Sequence, residues 1–162
     1  MMLAMLCGCQ TEKHKKSKEV SALRVHIEFN SDAPGTSQTV SVLRSDPVLI
    51  TIEKEPILTE ANLIAAKVID THGGFAIQVQ FDEINAVILE QYSAANPGRH
   101  FAIFGQWGDK AADARWLAAP LITHRIADGI LSFTPDMSRT NADRFVLGLD
   151  NVAKKMQKGQ LK

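Results

Sequence analysis

Hydrophobic and polar positions alternate with two periods along this chain. Leu23, Val25, Ile27 and Phe29 are interleaved with Arg24, His26 and Glu28, the two-residue period of a strand with one buried face. TVSVLR (39–44) and VLITIEK (48–54) are read as two further strands, separated by the breaker Ser45-Asp46-Pro47. Leu58 to Leu63 reads as a helical turn with Thr59 at its N-cap, and 64–70 returns as a strand. After the turn Thr71-His72-Gly73-Gly74, Phe75, Ile77, Val79 and Phe81 share one face of a strand, with Gln78 and Gln80 on the other.

The period then lengthens. From a cap at Asp82, Ile84, Val87, Ile88, Tyr92 and Ala95 form a helical stripe that Asn96-Pro97-Gly98 ends. HFAIFGQW (100–107) is apolar enough for a central strand. GDKAADAR (108–115) predicts a loop, and 116–126 an extended segment that bends at Pro120 or lies on an edge. Asp128-Gly129 signals a hairpin before the strand 130–133. The last pattern runs from Ser138 to about Lys158, where Ala142, Phe145, Val146, Leu149, Val152, Ala153 and Met156 make one helical face. Asp136 or Ser138 caps its start, and Lys154, Lys155 and Lys158 complement the dipole at its end. Strand, helix, strand, hairpin and helix in that order predict an α+β fold, a mostly antiparallel sheet with two main helices on one face, of ferredoxin-like kind.

Composition adds bounds. The 162 residues suffice for one domain with a substantial core, and no apolar run approaches the roughly 20 residues that cross a bilayer as a helix. That argues against a channel, pump or transporter built from this chain alone. The net charge is zero but unevenly spread. Residues 10–20 carry four lysines against two glutamates, and 154–162 carry four lysines and no acid. The stretch 21–153 keeps 10 basic and 16 acidic groups. A phosphate backbone would be repelled by so acidic a body, so nucleic acid is not an expected partner.

The only two cysteines, Cys7 and Cys9, fall within the first ten residues. A zinc site needs about four ligands, and only His14 is near. A disulfide across one intervening residue would strain the bridge geometry. The surrounding MLAMLCGC has another meaning: Leu6-Cys7-Gly8-Cys9 resembles the Leu-x-Gly-Cys lipobox of bacterial lipoproteins. It departs from the usual signal in having no basic residue before Cys9 and a short apolar run. The resemblance implies a partial signal peptide at 1–8 and a diacylglyceryl anchor on Cys9. Residues 9–20 would then be the lipidated cysteine and a charged tether, with one α+β domain at 21–158 outside the cytoplasm. The expected membrane contact is the lipid itself.

Three further stretches carry a second resemblance. GRHFAIFGQW (98–107), AAPLITHRIADGILSFT (118–134) and SRTNADRFVLGL (138–149) follow one another as do the conserved segments in the head of the large periplasmic domain of the protein-export protein SecD. ILTEANLIAAKVID (57–70) resembles the approach to them. The similarity covers roughly 56–153. Thr140-Asn141 stand where the family has an acidic pair. The resemblance implies an extracytoplasmic α+β module that contacts protein in transit. It transfers no catalytic residue, and none of that family's proton-relay helices.

A search for chemistry finds little. No nucleophile elbow, Ser-x-x-Lys, His-Glu-x-x-His or glycine-rich phosphate loop is present. His72-Gly73-Gly74 is read as a β-turn. Phe104, Trp107 and Trp116 flank the 108–115 loop and are candidate anchors for a partner protein or peptide. His100 and His124, with Asp109 or Asp113 between them, are the candidate set for a metal site or small hydrolase. The sequence therefore favours a lipid-anchored, non-enzymatic binding module without cofactor, and the histidine site is its alternative.

Overall fold

The computed structural model describes residues 19–29, 35–108 and 112–160. Cys7, Cys9, most of the expected tether and Asp109 lie outside them. Among the described residues there are nine strands and two helices. In chain order they are β1 (Ala22–Ile27), β2 (Ser37–Val42), β3 (Val48–Glu53), β4 (Leu58–Thr59), β5 (Leu63–Thr71), β6 (Gly74–Phe81), α1 (Glu83–Ala95), β7 (Phe101–Trp107), β8 (Asp113–Ala118), β9 (Ile130–Phe133) and α2 (Arg139–Gln160). The class is α+β with antiparallel pairing throughout, as the periodicity predicts.

The strands divide among three sheets where one layer is expected from sequence. One sheet has the order β4-β1-β7-β8, a second is β5-β6-β9, and β2 and β3 form a two-stranded ribbon. The division follows from side-chain period. β1 and β7 are apolar at every second position, and their register sets Leu23 opposite Gly105 and Val25 opposite Ile103. These odd positions face one core, shared with β5, β6, β9 and both helices. The ribbon keeps its own small core, Val40, Val42, Ile50 and Ile52, closed on Ala102 with Trp116 alongside. The four-stranded sheet is therefore covered on both sides, by different things.

The segment 58–63 is half strand, half turn. Leu58–Thr59 pairs with β1, and a 3-10 turn follows at Glu60–Asn62. The Thr59 amide and hydroxyl both donate to Asn62 Oδ1, at 2.8 and 3.1 Å. Asp82 caps α1 as expected, accepting from the Asn85 amide at 2.8 Å. β8 starts at Asp113, inside the stretch read as loop, and ends at Ala118, so Pro120 lies beyond it. Residues 119–129 then wrap α1: the Ile126 amide donates to Ser93 Oγ at 2.9 Å. Gly129 sits so close that a Cβ there would lie 2.7 Å from the Ala86 Cβ.

α2 is 22 residues long and packs along β5, reaching β7. Two glycines permit its approach. A Cβ on Gly148 would stand 2.2 Å from Ser21 Oγ, and one on Gly105 2.4 Å from Leu117 Cδ1 and 3.1 Å from Phe145. No helix among the described residues is long and apolar enough to cross a membrane.

Candidate functional site on the outer face of the sheet

The even positions of β1 and β7 face away from α2. Register places Arg24 opposite Phe104 and His26 opposite Ala102, and the next pairing sets Phe104 beside Trp116 on β8. Three rings consequently gather on one surface. His26 meets Trp116 edge to face, with centroids 5.2 Å apart at 67°. Phe104 meets the same indole at 5.4 Å and 65°. These are the offset geometries that ring quadrupoles prefer. The Arg24 guanidinium carbon stands 5.8 Å from the Phe104 centroid, within cation–π range.

The ribbon does not close over this surface. A cleft of about 450 Å³ remains, with Phe104, Trp116, Arg24 and His26 as its sheet side. Gln38 and the Lys54-Glu55-Pro56 corner form the opposite side. The volume lies in the range of small ligand sites, and its walls combine apolar rings with a few polar groups. A smaller cavity of about 310 Å³ lies between Pro120–Ile126 and the edge strand β9. It lacks an aromatic pair.

His26 is only 4% exposed. Its Nδ1 lies 2.8 Å from the Glu53 carbonyl, which can only accept, so Nδ1 carries the proton and donates. Burial is the main force lowering its pKa below the ordinary 6.5, and the Arg24 charge acts in the same direction. The Glu53 bond and Glu55 oppose this. The imidazole is therefore neutral near pH 7, with Nε2 as an acceptor.

The ribbon is held over the cleft by a clamp at its turn. The Arg44 amide donates to Asp136 Oδ2 at 3.0 Å, its Nε to the same oxygen at 3.0 Å, and its Nη2 to Oδ1 at 3.2 Å. These bonds hold the Asp136 carboxyl below its usual pKa. Leu43, the residue before Arg44, has φ of +66°, a conformation uncommon for bulky residues.

The sequence candidates separate on this map. Phe104 and Trp116 come together in the cleft. Trp107 does not join them: as an odd position of β7 it faces the core, fully buried, with its ring 5.9 Å from Phe145 and the Arg115 guanidinium over it at 5.0 Å. His100 and His124 take separate partners. His100 Nδ1 is 2.7 Å from Glu28 Oε2, and His124 Nδ1 is 3.0 Å from Thr123 Oγ1 on an exposed segment. Among the described residues no three His, Cys, Asp or Glu side chains gather in a way that would hold a metal ion. The contributions of Arg24 and His26 were hidden in sequence. The alternation of β1 places them on its polar face, but only the register with β7 brings them to Phe104.

Comparison with known proteins places this fold. No curated protein matches the chain. Two solved structures share the fold at 19% identity. One, reported as "Structure and function of a membrane component SecDF that enhances protein export", superposes with a TM-score of 0.57 over 93% of this chain and 72% of that one. The other, "Crystal structure of SecDF in Super-membrane-facing form", gives 0.58 over 89% of this chain and 21% of that one. This chain thus spans about a fifth of the second protein. The profile of the SecDF P1 head subdomain matches residues 36–153. That match begins before the 56–153 expected from sequence and takes in the β2–β3 ribbon. The chain belongs to the SecDF P1 head subdomain family.

Proposed function

We propose that this chain is a non-enzymatic module that binds protein or peptide partners on the extracytoplasmic side of a membrane, during export or envelope assembly. Cys9 is its lipid anchor, and Phe104 and Trp116 are its contact residues. The observation that carries this reading is the open cleft between ribbon and sheet, in a chain whose family is named for an export protein. Half-buried aromatic rings beside a mobile-length arginine are the usual anchors of protein contacts, since they offer large area at small entropic cost. Among the described residues, those lining the cleft are aromatic, charged or amide side chains and a proline, which suit contact with a polypeptide.

The test uses the full chain and a permanently unfolded, carboxymethylated protein as probe. Trp116→Ala is expected to weaken binding about tenfold or more, the scale of an aromatic hot spot. Equal binding by wild type and variant would remove the cleft from the account. Membrane fractionation beside Cys9→Ala tests the anchor: the wild type is expected with membranes and the variant in the soluble fraction.

A further inference from the structure

The residues leading into β1 are strapped to α2, and the charges around that strap bear on how the domain stands at a bilayer, an inference that rests on the membrane placement proposed above. Arg144 Nη2 and Nε donate to Glu19 Oε1 at 2.9 and 3.1 Å, and Asn151 Nδ2 donates to the Glu19 carbonyl at 3.0 Å. Ser21 lies over Gly148, in the space a Cβ there would need. Arg144, Gly148 and Asn151 are three to four residues apart and so share one helical face. Lys155 and Lys158 continue that spacing, and Lys154 flanks it. Beyond Ala153 the helix leaves the body: residues 154–159 are all exposed, Met156 among the lysines included. None of the three lysines has an ion-pair partner among the described residues. The acids of α2 lie earlier and are engaged, Asp143 by Arg139 and Asp150 by the Ala66 amide at 2.9 Å.

The sequence before the strap, 10–18, adds four lysines against one glutamate. Ten residue steps separate Cys9 from Glu19, a reach of at most about 35 Å, so an acyl group on Cys9 keeps the strapped side of the domain near the bilayer. The stretch 21–153, with 10 basic and 16 acidic groups, is repelled by an anionic surface. We propose that the exposed last turns of α2 rest on anionic lipid headgroups through Lys154, Lys155 and Lys158. The Phe104–Trp116 cleft, on the other side of the sheet from α2, is then left uncovered. A lysine at an anionic leaflet strengthens partitioning about fivefold, and its reach is about one Debye length, roughly 8–10 Å. Three such charges on a chain of zero net charge set orientation, and the acyl group sets residence.

The experiment uses the full chain carrying Cys9→Ala, so that lipidation plays no part. The probe is a vesicle of phosphatidylcholine with about one third phosphatidylglycerol, at roughly 50 mM salt. Sedimentation is expected to show binding to these vesicles, none to phosphatidylcholine alone, and loss of binding at about 0.5 M salt. Lys154→Gln, Lys155→Gln and Lys158→Gln together should weaken partitioning roughly a hundredfold. In a chain that also carries Cys7→Ala, a dye on Gly159→Cys should register the vesicle, and the same dye on Gln38→Cys at the cleft should not. The two dyes decide the question even if the triple variant folds poorly. No binding, equal binding to both vesicles, or an equal response of the two dyes overturns the inference. So does unchanged partitioning of a folded triple variant, which assigns the contact to the lysines before the strap. None of these outcomes touches the anchor, which stands or falls on fractionation of the wild type.

Discussion

Two tryptophans on adjacent strands of one sheet have opposite surroundings. Trp107 lies in the face closed by α2, with no exposed surface, between Phe145 and Arg115. Trp116 lies on the other face, half-buried between His26 and Phe104 and open to the cleft. The difference comes from what covers each face. A 22-residue helix supplies a continuous apolar stripe, and glycines at 105 and 148 let it settle against the sheet. A ribbon of two six-residue strands covers less and leaves space at its Lys54–Pro56 end. One face therefore provides stability and the other provides a surface. Large side chains have different roles on the two.

Truncation on the closed face should give the largest effect. Phe145→Ala removes a fully buried ring against Trp107 and is expected to cost about 3–5 kcal/mol in denaturant unfolding. Trp116→Ala should cost less in stability, about 1–3 kcal/mol, and more in binding. A reversal of that order would break the contrast. Next is Gly105→Ala, which must displace the buried Leu117 side chain and should destabilise by about 1–3 kcal/mol.

How far the sequence disclosed this contrast depends on the length scale of each signal. Alternation in β1 identified two faces, because side chains in a strand change side at every residue, whereas 100–107 read only as apolar enough for a central strand. The same parity already separates Trp107 from Phe104, but it does not say which face a helix will close. That depends on pairing between residues distant in sequence, such as Arg24 with Phe104. The α2 stripe was legible for the opposite reason: its seven apolar positions recur locally and need no partner to be recognised. The division into three sheets was not legible, since antiparallel strands carry no local mark of which neighbour they choose. The clamp of Arg44 on Asp136 joins residues 92 apart and has no motif.

Two smaller effects sharpen the contrast through charge. His26 has its pKa lowered in the fold by burial, so the unfolded chain binds its proton more readily. The stability this gives is fully present above the ordinary value of 6.5 and is lost as pH falls through the lower folded value. A denaturation series across that window should show the slope in wild type and a flatter profile in His26→Phe. Asp136 behaves in the same sense at lower pH: its contribution is present above the ordinary 3.8 and lost as pH falls through the depressed folded value. Arg44→Ala should change global stability least, because the guanidinium is largely exposed. Its expected signature is faster amide exchange across β2 and β3, with β7 unchanged.

The central claim is that the outer face binds and the inner face does not. The chain has two tryptophans, so a ¹⁵N-labelled sample gives two indole signals, assigned by substituting each in turn. Titration with the unfolded carboxymethylated protein is predicted to shift or broaden the Trp116 indole and leave the Trp107 indole in place. Movement of Trp107 alone, or binding that leaves both indoles unmoved, would contradict the account and place the partner elsewhere on the molecule.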